Sequence, residues 1–370
     1  MRKIWPWIER LILEIGEGRS FASYCLGPCL YFSSLVYTIL VRLRLFFYRR
    51  GIIRTRSLPC KVISVGNITV GGTGKTPLTL YLARELKDLG YRVAIISRGY
   101  RGSAEKAGGI VSDGENILMN AEEAGDEPYF LALKLKGIPV IIHKDRFQAG
   151  RRAINTFGSD VLILDDGFQH IRLKRDVDIV LVDSSNPFGN GHVLPRGVLR
   201  EPLAQLVRAD LFVLTRSDPD LRPARTISLV RSYAGKKPVF CCTHLPEGLF
   251  VAGRRERLGL RTLEGASLLA FCAVAHPDDF KSMLLAMGGK LVRFISFPDH
   301  YWYTDDDLES IWELARGLDV DYTITTEKDY SRIAEKIPVD PPLLILGIKV
   351  SFGNEAMAFK NCILERLMVS

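Results

Sequence analysis

Short apolar runs alternate with amphipathic stretches along most of the chain. Six runs of mainly β-branched or aliphatic residues, each followed by polar or glycine-rich positions, stand at 61–66, 91–97, 138–143, 160–164, 178–183 and 210–215. Stretches with helical spacing lie between several of them. Continuous apolar runs of this length are typical of parallel strands buried on both faces. The pattern therefore predicts an α/β fold, with a mostly parallel sheet that carries helices on both faces.

A second, shorter alternating set follows after about residue 239. Residues 249–260 contain the turn-like sequence Ala-Gly-Arg-Arg and predict a small hairpin-like linker. Further strands are predicted near 268–274, 290–296, 321–325 and 343–346. A helix is predicted from Asp305, because Thr304 precedes it and Asp307 stands at the spacing of a capping box. We predict a first domain over 58–240, which contains the first six strands, and a smaller α/β domain, with the linker, over 241–370.

The amino end, residues 1–57, has a different pattern and predicts a membrane-associated helical segment. No charged residue occurs from Ser20 to Val41, an amphipathic stretch with Trp5 and Trp7 precedes it, and six arginines follow within the next 15 residues. About 20 apolar residues can span a bilayer, whereas Gly27-Pro28 and several serines oppose a span. Interfacial insertion, a true span and a soluble packed helix stay open as alternatives. No small-residue cleavage site follows, so a secretory signal is not predicted.

The charge distribution points to a membrane surface. The formal net charge is +8, but residues 1–61 hold 11 Lys or Arg against 3 Asp or Glu, and the rest of the chain is balanced at 39 against 39. A basic segment beside an apolar helix is attracted to anionic lipid headgroups on the cytoplasmic side. Nucleic acid is therefore not an expected partner. The seven cysteines form no C-x-x-C pair, which indicates reduced thiols in a cytosolic body.

A glycine-rich turn follows the run at 61–66 and resembles the phosphate-binding P-loop, so the predicted parallel sheet is P-loop NTPase-like. Glycines allow the backbone to form a nest of inward N–H groups, and the following helix directs its positive end to the same point. The end of the turn matches the consensus G-x-x-x-x-G-K-[ST], while Thr69 replaces its first glycine. Lys75 would reach the β and γ phosphates, and Thr76 would ligate Mg²⁺. The predicted nucleotide-binding residues are Thr69, Val70, Gly71, Gly72, Thr73, Gly74, Lys75 and Thr76.

Three further groups of residues carry candidate chemistry at predicted strand ends. Asp165 and Asp166 follow an apolar strand in the manner of a Walker B motif, and either could complete the Mg²⁺ site with Thr76. Asp126 is predicted to be the N-cap of a helix; it is either a plain cap or a carboxylate that accepts a proton from an attacking hydroxyl. Arg196 and Arg200 are either solvated surface side chains or a clamp for a substrate phosphate.

Several irregular motifs in fixed order make the chain similar to a known family. They are GNITVGGTGKTP, SRGYRG, GDEP, LDDGFQH, LPRGVLREP, FPDHYWY and TTEKD. Together they resemble the tetraacyldisaccharide 4'-kinase family of lipid A biosynthesis, over nearly the whole chain. The Thr69 departure belongs to that family's own pattern.

The resemblance implies a lipid kinase that uses ATP and Mg²⁺. Its acceptor would be the 4'-hydroxyl of a tetraacylated glucosamine disaccharide 1-phosphate, a lipid A precursor, at the cytoplasmic face of the bacterial inner membrane. It also implies that Asp126 is the catalytic base and that His300, in FPDHYWY, is its partner. We expect a monomer.

Two other functions compete with this interpretation. One is a P-loop GTPase or ATPase of the metallochaperone or maturation type, but TRSD at 215–218 only loosely resembles the guanine-reading N-K-x-D. The other is a membrane-bound scaffold with a vestigial nucleotide site, which intact Lys75, Thr76 and Asp166 disfavour. The apolar, basic amino end favours the lipid kinase.

Overall fold

The computed structural model describes residues 21–254, 256–333 and 340–369 and divides into two compact units. The first unit contains the residues up to Thr243 and those from Val350 onward, and the second contains His244–Lys349. The predicted amphipathic stretch with Trp5 and Trp7 lies outside the described residues. The cysteines whose side chains are described are all free thiols, as predicted.

An eight-stranded sheet forms the centre of the first unit, and it confirms the predicted parallel architecture. Its strands in chain order are β1 (Lys61–Gly66), β2 (Val93–Ser97), β3 (Gly109–Ser112), β4 (Val140–Ile142), β5 (Val161–Asp165), β6 (Val177–Asp183), β7 (Leu211–Thr215) and β8 (Val239–Cys241). Their spatial order is β3-β4-β2-β5-β1-β6-β7-β8. Only β3, which the apolar pattern did not predict, runs antiparallel to its neighbour. Strand β1 lies between β5 and β6, so the loops after β1 and β5 begin side by side.

Helices cover both faces of this sheet. The helices of the first unit up to β8 are α1 (Phe21–Arg49), α2 (Lys75–Asp88), α3 (Ala121–Ala124), α4 (Asp126–Lys134), α5 (Arg146–Phe157) and α6 (Ala224–Ala234), with a 3₁₀ helix at Leu203–Arg208. Alternate residues of one strand enter opposite cores. Ile63 packs in the core that contains the buried side chains of α2 and α4, whereas Val62 packs with those of α5.

The second unit is a smaller α/β body. Its strands are β9 (Thr243–Val251), β10 (Arg257–Leu258), β11 (Ser267–Cys272), β12 (Lys290–Ser296), β13 (Tyr322–Thr326) and β14 (Leu343–Ser351), in the spatial order β10-β9-β14-β13-β11-β12. Its helices are α7 (Pro277–Ala286), α8 (Asp305–Gly317) and α9 (Glu327–Ile333), with a 3₁₀ helix at Leu260–Leu263. The predicted hairpin is present as the antiparallel pair β9 and β10. The predicted capping box is also confirmed, because Thr304 and Asp307 bond reciprocally at the start of α8.

The chain returns to the first unit after β14, which differs from the predicted boundary of 241–370. A 3₁₀ helix at Gly353–Glu355 and helix α10 (Ala356–Val369) follow. Phe359 of α10 is fully buried and stacks on Phe352 with ring centroids 4.1 Å apart, and both rings pack beside Tyr81 of α2. This aromatic cluster gives the carboxy-terminal helix its place in the core of the first unit.

Candidate active site

The glycine-rich loop between β1 and α2 has the backbone that a phosphate requires. Gly74, the N-cap of α2, has φ +82°, and Gly71 has φ +99°, a region that L side chains rarely adopt. Gly66 is needed for another reason. A β-carbon there would lie 2.6 Å from Cβ of Phe168, so the loop packs directly against the turn that follows β5.

Asn67, which the sequence analysis did not single out, organises the interior of this loop. Its side-chain amide donates to the hydroxyl of Thr73 at 2.9 Å and to that of Thr69 at 3.3 Å. Its amide oxygen accepts from Nζ of Lys75 at 3.3 Å, and its backbone carbonyl accepts from Nε2 of Gln169 at 2.7 Å. Asn67 is fully buried, so it joins the phosphate loop, its lysine and the DDGFQH turn. The sequence feature that could have indicated Asn67 is its position, directly after the apolar strand and before the glycine-rich loop.

The predicted Walker B pair is brought to the same edge of the sheet, and its two carboxylates have opposite surroundings. Asp166 (φ +52°) accepts from one guanidinium nitrogen of Arg200 at 2.7 and 2.9 Å and lies 3.6 Å from Nζ of Lys75. Burial favours a higher pKa for Asp166, but the charges of Lys75 and Arg200 outweigh it and hold the pKa well below its usual range. Asp166 is therefore ionised and paired with two cations.

Asp165 is buried without such compensation. Its carboxylate accepts from the hydroxyl of Thr79 at 3.3 Å. Burial, and then the negative charges of Glu127 and Asp166, raise the pKa of Asp165 to about 7. Glu127 was not predicted, although it stands beside Asp126 in the GDEP motif. Its effect on Asp165 places the first turn of α4 near the Walker pair.

The donor chemistry of this edge fits Mg²⁺. Thr76, Asp165 and Asp166 carry side-chain oxygens of the kind that Mg²⁺ binds, and the mutual repulsion of Asp165, Asp166 and Glu127 favours a cation. Among the described residues no group of three or more His, Cys, Asp or Glu could hold a metal by itself. Mg²⁺ does not need such a group, because it usually combines one or two carboxylates with water and phosphate oxygens.

Asp126 lies in the first turn of α4, but the predicted N-cap role is wrong. The N-cap is Gly125 (φ +88°), and Asp126 is the first helical residue. A β-carbon at Gly125 would lie 2.7 Å from the carbonyl oxygen of Tyr100, and one at Gly102 would lie 2.4 Å from that of Glu123. The SRGYRG loop and the turn before α4 thus pack backbone against backbone, which leaves no space for a side-chain cap and fixes where Asp126 begins the helix.

The LPRGVLREP segment pairs with the phosphate loop, and its two predicted arginines have different partners. The backbone N–H of Arg200 donates to the carbonyl of Ile68 at 2.6 Å, and that of Val70 donates to the carbonyl of Val198 at 2.8 Å. The guanidinium of Arg200 binds Asp166. The guanidinium of Arg196 instead lies 4.7 Å above the ring of Tyr31 in α1.

Arg146, at the start of α5, is a buried cation for which the sequence analysis assigned no role. Only 5% of the residue is exposed, its Nη1 donates to the carbonyl of Lys144 at 3.3 Å, and its Nε has no partner. Burial lowers the pKa of Arg146 to about 10, and the negative charge of Asp166 opposes that shift. An arginine buried without a carboxylate partner within the described part of the chain fits an anionic ligand.

His300 lies in the second unit, in the connection between β12 and α8, with φ +61°. Its Nδ1 is 3.5 Å from Nη2 of Arg332, and its Nε2 is 3.5 Å from Nζ of Lys328 and 3.7 Å from Oδ2 of Asp299. Arg332 forms a fully buried ion pair with Asp329 at 3.3 Å. Both neighbouring cations belong to α9, which begins within TTEKD. This motif therefore supports the ring of His300.

Comparison with known proteins agrees with these observations. A family model described as tetraacyldisaccharide-1-P 4'-kinase matches residues 26–368. The tetraacyldisaccharide 4'-kinase of Desulfatibacillum aliphaticivorans is 42% identical over 351 residues, 93% of each chain. That of Syntrophus aciditrophicus is 42% identical over 346 residues, 90% of this chain and 91% of the relative. The crystal structure of LpxK from Aquifex aeolicus in complex with ATP is similar at a TM-score of 0.73 and 32% identity, over 93% of this chain and 99% of that one.

Proposed function

The chain belongs to the tetraacyldisaccharide-1-P 4'-kinase family, and from that premise we propose how its residues perform the reaction. The resemblance predicted from the motifs is confirmed, and so is the α/β fold with its P-loop. The protein is a kinase of lipid A biosynthesis that transfers the γ-phosphate of ATP, with Mg²⁺, to the 4'-hydroxyl of a tetraacylated glucosamine disaccharide 1-phosphate. The metallochaperone-type and scaffold alternatives are set aside on this ground.

The nucleotide phosphates are proposed to lie over the N-terminus of α2. Backbone N–H groups from Gly71 to Gly74 would bind them, together with Thr69, Val70 and the ammonium of Lys75. The observation that carries this assignment is the position of Lys75, which is held between Asn67 and Asp166 at the mouth of the loop. A lysine placed there can exchange its contact with Asp166 for a phosphate oxygen.

Mg²⁺ is proposed to be held by Thr76 and the Walker pair. When bound, it neutralises charge on the phosphate oxygens and orients them. The surroundings of the two carboxylates favour Asp165 as the principal ligand, because the charge of Asp166 is already balanced by Arg200 and Lys75. Arg200 would then hold Asp166 ionised and oriented beside the site.

Asp126 is proposed to accept the proton of the attacking 4'-hydroxyl. The helix N-terminus stabilises its anion, so a histidine that shares the proton would help to tune it, and His300 is proposed for that role. Glu127, the next residue in α4, acts electrostatically on Asp165. This proximity supports a place for Asp126 beside the phosphoryl group.

The acceptor's 1-phosphate also requires cations. We keep Arg196 and Arg200 as proposed ligands and favour Arg196, because Arg200 is already bonded to Asp166 while Arg196 lies over Tyr31 of the apolar helix α1. Arg146 is an additional cation for a phosphate of either substrate, since it is buried without a carboxylate partner in the described ranges.

Helix α1 is proposed to lie in the interface of the cytoplasmic face of the inner membrane. Its segment Gly27–Arg49 is long and apolar enough to cross a bilayer. Several of its large apolar side chains are exposed, namely Tyr31, Phe32, Leu35, Val36, Ile39, Leu40, Leu43, Phe46 and Phe47. The other side of α1 forms hydrogen bonds with the rest of the first unit, from Ser34 near its middle to Arg49 at its end. These bonds support interfacial insertion over a full span. A monomer without a nucleic-acid partner remains our expectation.

The function is tested with γ-labelled ATP and tetraacyldisaccharide 1-phosphate in mixed micelles. Label should move to the lipid, and Lys75→Ala and Asp166→Ala should each lower kcat by orders of magnitude, because both groups act at the phosphoryl site. Lys236→Ala, which removes an exposed lysine beyond α6, is the matched control and should be unaffected. Near-normal rates in both site variants would contradict the assignment of the nucleotide site.

A further inference from the structure

We propose that helix α1, besides facing the membrane, positions the nucleotide site, and that Tyr37 and Arg44 are positioning residues for phosphoryl transfer. This inference rests on the proposed function. It adds that one helix contacts both the lipid and the active site. Its exposed apolar side faces the lipid surface, and its other side is hydrogen-bonded to the residues that position Asp166 and the phosphate loop.

Two hydroxyl groups of α1 bind the LPRGVLREP segment and the residue that precedes it. Ser34, only 5% exposed, donates to the carbonyl of Val193 at 2.9 Å, and Tyr37 donates to the carbonyl of Arg200 at 3.1 Å. They stand three positions apart, so both point from one side of the helix. The residue directly before the segment and the arginine that binds Asp166 are thereby both fixed to α1.

Arg200 connects Tyr37 to the Walker pair. Arg200, whose carbonyl accepts from Tyr37, also donates its backbone N–H to Ile68 in the phosphate loop at 2.6 Å. Its guanidinium binds Asp166 at 2.7 Å. All three polar parts of Arg200 are thus held, and the contact with α1 sets the backbone position from which the guanidinium reaches Asp166.

Arg44 provides a second, separate connection. Its Nη2 donates to the carbonyl of Gln169 at 2.8 Å, and the side chain of Gln169 donates to the carbonyl of Asn67 at 2.7 Å. Asn67 in turn binds Thr73 and Lys75. Helix α1 therefore reaches the phosphate loop through one intervening residue.

The opposite side of α1 has the chemistry of a lipid-facing surface. Phe32, Leu35, Ile39 and Leu40 are between 48% and 67% exposed and lie at helical spacing with Leu43. Lipid bound to these side chains stabilises the helix that carries Ser34, Tyr37 and Arg44. The anchor and the support of the site are consequently the same element.

The test is Tyr37→Phe, which removes the hydroxyl and keeps the ring. Loss of one hydrogen bond to a positioned arginine should lower kcat by about 3- to 10-fold, with the KM for lipid and sedimentation with anionic vesicles unchanged. Tyr48→Phe, on the same helix, removes a hydroxyl that has no hydrogen-bond partner among the described residues and serves as the matched control. Thermal unfolding checks that both variants fold like the wild type.

A double-mutant cycle identifies the route. If Tyr37 acts through Arg200, adding Tyr37→Phe to Arg200→Ala should lower kcat by less than about twofold, because the guanidinium that it positions is gone. Arg44→Met should also lower kcat, and its effect should add to that of Tyr37→Phe because the two connections are separate.

Two results would overturn the proposal. One is a Tyr37→Phe variant with normal kcat, whether or not its vesicle binding falls, because α1 would then serve as an anchor only. The other is full additivity with Arg200→Ala. A wild-type protein that moves no label to the lipid would instead contradict the proposed function, so the two failures are distinguishable.

Discussion

At the scale of single residues, the two neighbouring carboxylates of the Walker pair show how surroundings determine chemistry. Asp166 is held ionised by Lys75 and Arg200, whereas burial, Glu127 and Asp166 raise the pKa of Asp165 to about 7. Two identical side chains are separated in this way into a paired anion and a carboxylate whose charge is costly without a cation.

Asp165→Asn should stabilise the ligand-free protein at pH 8 while it lowers kcat by orders of magnitude. The ordinary pKa of 3.8 is raised in the folded state, so between about pH 4 and 7 the folded state binds more protons than the unfolded state. The free energy of unfolding therefore falls as pH rises through this window, by at most about 4 kcal/mol. The amide removes this loss and can keep the bond from Thr79.

The measurement is the Tm of wild type and Asp165→Asn from pH 4 to 8 without nucleotide or Mg²⁺. The two curves should meet near pH 4 and separate as pH rises. Parallel curves across that range would show that Asp165 ionises at its ordinary pKa. A normal kcat in Asp165→Asn would instead indicate that Asp166 is the principal ligand of Mg²⁺.

The proposed pair Asp126 and His300 is tested by a double-mutant cycle. Asp126→Ala should lower kcat more than it raises the KM for ATP, because a base acts on the reacting hydroxyl and not on nucleotide binding. If the two residues act as one unit, the double variant with His300→Ala should be scarcely worse than the poorer single variant. Asp88→Ala, at the exposed end of α2, is the control.

Fully additive losses in this cycle would show independent roles. Unchanged kcat in Asp126→Ala would leave that residue as the first residue of α4 without a catalytic role.

At the scale of elements, α10 follows the second unit in the sequence but belongs to the first unit. Phe359→Ala should destabilise the first unit by about 3–5 kcal/mol, because it removes a fully buried ring that stacks on Phe352. Met357→Ala, at a residue that is 67% exposed in the same helix, should change stability by less than about 0.5 kcal/mol. Urea denaturation measures both.

If the two units unfold in separate transitions, Phe359→Ala should shift the urea midpoint of the first unit's transition only. A shift confined to the other transition, or equal small effects of both substitutions, would contradict the placement of α10.

At the scale of the whole molecule, the surplus positive charge lies where the membrane is expected. Replacing Arg42 and Arg54 together by Gln should weaken binding to phosphatidylglycerol vesicles by about 1 kcal/mol for each arginine removed, and salt should reduce the difference. Arg293 and Arg316 are also exposed but lie in the second unit, so their double Gln variant is the control. Equal sedimentation of both variants would show that position along the chain does not matter.

The sequence by itself determined the features that depend on nearby residues. Apolar runs predicted the strands of the first unit except β3 and β8, because burial on both faces leaves that pattern in five or six consecutive positions. The phosphate loop, the Walker pair and the capping box at Thr304 were also readable, since each is a local arrangement of backbone and side chain within a few residues.

The tertiary structure alone decided which distant groups meet. Tyr37 and Arg200 are 163 positions apart, and Arg44 and Gln169 are 125 apart, so no local pattern connects them. The N-cap of α4 is Gly125 and not the predicted Asp126, because the SRGYRG loop packs against that turn. Helix α10 belongs to the first unit because Phe359 packs on Phe352 in its core. Close packing couples residues according to their distance in space, which the order of residues along the chain does not contain.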